Sequence, residues 1–157
     1  MSRSSLALAA AGPIAIGAIL AARSGDPSAI VAAPAILFGV VAATSPALYI
    51  GITAAGKAPP LATVARAFVV ALGAFGIALA GLVLPAAFLS LSSVTPVTSA
   101  ATCSAALGGA AVLALWRLHI ELAAKSFATS SVFAIWSVAT FGIAGRMWWD
   151  LAQEVVS

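Results

Sequence analysis

Charge is what this 157-residue chain lacks most. Only 7% of its residues are Asp, Glu, Lys or Arg, against about 25% in a typical soluble domain, so a water-facing surface cannot be covered from this stock. There are four acidic residues, one histidine and one cysteine. A lone cysteine excludes an intramolecular disulfide, and with no CxxC or Cys/His spacing no metal set is in view. Cys103 reads as a small packing residue. Asp26, Glu121, Asp150 and Glu154 fall at the ends of apolar runs or in the tail, which leaves no carboxylate pair for acid and base work. His119 lies sixteen residues from Cys103, about 24 Å along a continuous helix, too far for a nucleophile and its base. HExxH, phosphate-loop and dinucleotide motifs are missing. Lys57 and Lys125 lie outside the apolar runs, so no lysine is placed at mid-membrane depth for a Schiff base. The chain reads as non-enzymatic, with no cofactor expected.

What is present is apolar: 63% of residues are hydrophobic and the mean hydropathy is +1.17. A soluble helical bundle would still need polar outer stripes, and a membrane strand barrel would alternate in segments of about ten residues. Neither pattern occurs. Long unbroken apolar runs predict an all-α fold, a polytopic integral membrane bundle of about five transmembrane helices. The number falls to four if the first or third run is not a separate crossing. The net charge of +3 rests on only seven basic residues and gives no nucleic-acid footprint. The expected partners are the lipid bilayer and other membrane subunits or further copies of the chain.

The runs divide at turn residues into spans of about 6–22, 30–55, 62–91, 99–116 and 127–147. "SGDPS" after Arg23 reads as a turn, and "GKAPP" cannot continue a helix. The first run also fits a secretory leader, but is expected to be retained. Pro46, inside the second span, removes an amide and is expected to kink it; the hydroxyls of Thr44 and Ser45 or a neighbouring helix can compensate the freed carbonyl. Pro85 is a second candidate kink. Gly73, Gly76 and Gly81, interspersed with alanines, give the third span a smooth surface suited to close helix packing. The uncharged "SLSSVTPVTSAAT" reads as a short loop around Pro96. Trp148 and Trp149 sit where an interfacial aromatic belt belongs, followed by a short solvated tail.

The positive-inside rule orients the chain. A cytoplasmic N-terminus places Arg3, Lys57, Arg66, Arg117 and Lys125 inside, and Arg23 and Arg146 outside. Arg66 has two readings: a lipid-headgroup, anion or partner contact, or a snorkelling helix-end arginine. In "ALWRLHIELAAK", Arg117, Glu121 and Lys125 are spaced i,i+4 along one stripe, which extends the fourth helix past the membrane. It either faces water or docks a partner, with His119 as a pH-sensitive contact. The hydroxyls of Thr44, Ser45, Thr53, Ser90, Ser92, Thr102 and Ser104 either line a wet path or bond between helices.

The stretches "APAILFGVVAATSPALYIGITAAGKAP" and "FVVALGAFGIALAGLVLPAAFLSLSS" resemble the small bacterial members of the Yip1-like group of five-span membrane proteins. The resemblance rests on Pro46, Gly56 and Pro85 and covers about half of the chain. It implies five spans, a cytoplasmic N-terminus, and a role in membrane organisation or as an accessory subunit; it carries over no catalytic residue. The long polar N-terminal region of that group has no counterpart here. The leading expectation is a structural or accessory subunit in a bacterial cytoplasmic membrane. The alternative is a small channel or transporter with its path near Pro46 and Pro85.

Overall fold

The computed structural model describes residues 3–56, 59–122 and 127–156; Lys57 and Lys125 lie outside them. Five helices follow one another: α1 Arg3–Ser24, α2 Ala29–Ala54, α3 Leu61–Ser92, α4 Pro96–Leu122 and α5 Phe127–Val156. No strand occurs among the described residues. Helices α2 to α5 are each long and apolar enough to cross a membrane, while α1 contributes a shorter apolar stretch, Ala9–Ser24. The outer surface is greasy: Leu84 and Val138 are 78% and 74% exposed. That pattern suits lipid as the surrounding solvent.

Local chemistry explains the helix ends. Gly25 adopts φ 76° after α1 and Gly56 adopts φ 85° after α2, the left-handed step that glycine takes without a Cβ clash. Gly25 donates to the carbonyl of Ala21 at 2.9 Å, closing the last turn of α1. Asp26 then accepts from the Ser28 amide at 2.8 Å and from its hydroxyl at 2.6 Å, which fixes the turn into α2. Pro60 immediately precedes α3 and its carbonyl accepts from Thr63 at 2.8 Å.

Two expected boundaries are corrected. Pro96 is the first residue of α4 rather than part of a loop, because proline's missing amide costs nothing at that position and the Thr95 hydroxyl pairs with that of Thr98 at 2.7 Å. The tail is no solvated appendix either: α5 runs on to Val156, with Leu151 and Ala152 buried. Arg146 and Asp150 bridge at 3.1 Å with i,i+4 spacing, so the charges that suggested an exit from structure instead ride on a continuing helix.

Packing follows small residues. The buried stripe of α3 includes Val64, Ala67, Ala71, Phe75 and Leu79, and that of α4 includes Ser99, Cys103, Ala106, Leu107 and Ala110. These alanine-rich faces give α3 and α4 the most extensive pairing in the bundle. Helix α1 packs on both α2 and α3, and α2 packs on α5, whereas the consecutive α2 and α3 barely touch. Near the Arg23 end, α1 stands between them: a Cβ on Gly12 would lie 2.8 Å from Leu79 Cδ2, and one on Gly17 would collide with the backbone of Ala29. Arg23 closes that end by donating to the carbonyl of Ser93 at 3.1 Å. At the opposite end Leu48 and Ile52 of α2, Ala67 and Ala71 of α3, Leu118 of α4 and Trp136 of α5 belong to a second core cluster.

Candidate functional site

Some polar groups inside the bundle join one helix to another, and others bond back into their own helix. Pro46 leaves the Ala42 carbonyl without its helical donor; the Ser45 hydroxyl donates to it at 3.2 Å. Thr44 is the seam between α2 and α5. Its carbonyl accepts from Trp136 Nε1 at 2.8 Å, and its hydroxyl accepts from Thr140 at 3.2 Å while donating to Val40 at 2.8 Å. Ser90 on α3 reaches the Ser99 carbonyl at 3.5 Å and Cys103 Sγ at 3.7 Å. Thr53 and Thr102 bond back into their own helices.

The expected site residues disperse. Arg117 and Glu121 form their i,i+4 ion pair at 3.1 Å; their expected continuation, Lys125, is outside the described residues. His119 turns from that stripe to face Phe133 of α5, ring centroids 5.0 Å apart, with a buried Nδ1 that has no hydrogen-bond partner. Arg66 is exposed and, at 100° per residue, stands roughly opposite the buried stripe of α3. Trp149 is exposed, as a belt residue should be. Trp148 departs from the belt reading: its Nε1 donates to Ser104 Oγ at 2.8 Å and its ring packs on the core, because an amphipathic indole serves a buried hydroxyl as well as a headgroup.

The glycines are also redistributed. A Cβ on Gly73 or Gly81 would meet nothing within 4 Å, so neither packs a helix of this chain, although Gly76 is buried. Close approach within the chain falls instead to Gly12, Gly17 and Gly51, the last facing Val132 Cγ1 at 2.6 Å from its would-be Cβ. Composition alone does not reveal which face of a helix a glycine occupies.

The feature no sequence signal announced is a hollow. At mid-length α2, α3, α4 and α5 diverge around a cavity of about 260 Å³. Its wall holds Phe38, Phe68, Phe75, Trp136, Phe141 and Trp148, six of the chain's twelve aromatic residues (four Trp, one Tyr, seven Phe). Among the described residues, none that lines it is charged. Its two hydroxyls, Ser104 and Thr140, are already bonded to Trp148 and Thr44. A second hollow, a groove of about 770 Å³, runs between α2 and α3 at the Arg66 end. Phe38, Val41, Phe68 and Leu72 line both spaces, so the groove adjoins the cavity. Pro46 lines the groove and not the cavity; Pro85 is exposed elsewhere on α3.

Among the described residues no three His, Cys, Asp or Glu side chains converge as metal ligands. Comparison of the chain with family models, with curated proteins and with solved structures finds no match.

Proposed function

We propose that this chain is a non-catalytic membrane subunit that works beside another polytopic protein or beside further copies of itself. The observation that carries this reading is the unused glycine of its outer faces. Gly39, Gly81 and Gly142 are exposed within α2, α3 and α5, with nothing within 4 Å of a would-be Cβ. Each costs about 1 kcal/mol of helix propensity relative to alanine, and no contact within the chain offsets it. A neighbouring helix drawn close to those smooth backbones would. The accessory role implied by the Yip1-like resemblance points the same way. The charge count supports a cytoplasmic N-terminus, and the resemblance to small bacterial proteins favours a bacterial inner membrane.

Size and composition in detergent test the proposal. A fixed-ratio partner, or a discrete homo-oligomer weakened by Gly81→Leu, is the expected result. A monomer at every concentration that carries solute across liposomes would overturn it in favour of the channel reading.

A further inference from the structure

We propose that the cavity between α2, α3, α4 and α5 holds one hydrocarbon chain of a membrane lipid, taken in sideways through the α2–α3 groove. The surrounding phase supplies the first argument. All four lining helices are long and apolar enough to span a bilayer, the cavity sits at their mid-length, and the groove runs from the Arg66 end inward to Phe38 and Leu72, so its inner part is level with lipid tails rather than water. The lining supplies the second. With no charge in the wall and its hydroxyls bonded to their own neighbours, the cavity has no free polar group to hold water, an ion or a headgroup, and dry apolar cavities take apolar guests. An engineered void of about 150 Å³ already accepts benzene; this one is about 260 Å³ and is not sealed.

Sequence chemistry supplies the third argument. Gly108 of α4 and Gly145 of α5 both line the cavity, and a Cβ on either meets open space. A leucine at these positions would fill much of the hollow and favour the helix, yet each position carries only a hydrogen. The guest enters where α2 and α3 part, past Phe38, Val41, Phe68 and Leu72, which belong to groove and cavity alike. The aromatic walls then grip a chain by dispersion along its length.

Tryptophan emission reads the guest directly. The full chain carrying Trp116→Phe and Trp149→Phe, which removes the two exposed indoles, keeps Trp136 and Trp148 in the cavity wall. It is reconstituted into phosphatidylcholine vesicles with bromine at mid-acyl positions, with unbrominated vesicles as reference. Trp136 is only 7% exposed, which limits quenching from outside the bundle, and the cavity-filling variants separate quenching by an internal chain from what remains. The expected result is loss of most of the emission, and its recovery in Gly108→Leu and in Gly145→Leu at unchanged helicity and elution volume. Unquenched emission in the parent protein would overturn the proposal without recourse to the fillers. So would equal quenching in both folded leucine variants, because the bromines would then be acting from outside. Neither result bears on whether the chain has protein partners.

Discussion

The indole Nε1 of Trp136 on α5 donates to the main-chain carbonyl of Thr44 on α2 at 2.8 Å, across 92 residues of sequence. One turn further along α5, Thr140 reaches the Thr44 hydroxyl, so a single residue of α2 receives two donors from the facing helix. In a membrane, where apolar surface gives helices little reason to associate, such bonds set which helices pair. Replacing Trp136 with Phe keeps an aromatic ring and removes the donor. A loss of about 1 kcal/mol is expected, and Thr140→Val should cost about 0.6 kcal/mol. Reversible unfolding in mixed detergent micelles measures both, and an unchanged midpoint in Trp136→Phe would show that the bond contributes nothing.

Glycines of two kinds should separate cleanly. Gly17→Ala forces a methyl group against the backbone of Ala29 and Ile30, where no side chain can swing aside, and overpacking of that sort costs about 1–3 kcal/mol. Gly73→Ala meets open space and should gain up to about 1 kcal/mol from helix propensity. Thermal unfolding of the two purified variants in one detergent checks the opposite signs.

Ser45 matters because of Pro46. Ser45→Ala strands the Ala42 carbonyl and is expected to cost about 1 kcal/mol. In a Pro46→Ala background the restored amide at position 46 takes over that carbonyl, and the same serine change should then be close to neutral. A double-mutant cycle with strictly additive costs would break this link.

Acid should loosen the α1–α2 turn. The Ser28 hydroxyl and amide, in that order, hold the Asp26 carboxyl below its ordinary value of 3.8. A depressed carboxylate contributes stability that is complete above that ordinary value and fades as the pH falls through and below it. A smaller protection factor at Ser28, its exchange rate taken relative to the intrinsic amide rate at each pH, is expected on acidification, with no such loss in Asp26→Asn.

The crossings were legible because nothing but helix can satisfy a backbone through an apolar run of that length. The need to compensate Pro46 was legible too, since a proline names the carbonyl it orphans, but not that Ser45 rather than Thr44 or a neighbouring helix supplies the donor. The end of α5 was not: Asp150 and Glu154 resemble a solvated tail, and only the helix geometry that pairs Arg146 with Asp150 shows the turn continuing. Trp148 was not legible either, because an indole suits a headgroup and a buried serine alike. The cavity left no trace in the sequence, because a void belongs to the spacing of four helices and not to any one of them. Gly108 and Gly145 are its nearest signature, and they look like every other glycine in the chain.

Arg23 bears on how the protein is made. Its acceptor, the carbonyl of Ser93, lies 70 residues further along the chain, and the ribosome needs roughly 4–14 s to add that much polypeptide at about 5–20 residues per second. Until then the guanidinium at the end of α1 has only headgroups and water for company. Helix α2 emerges first and meets α1 where Gly17 faces Ala29, and the end of the bundle at Arg23 is closed only when the third helix brings the Ser93 carbonyl to it.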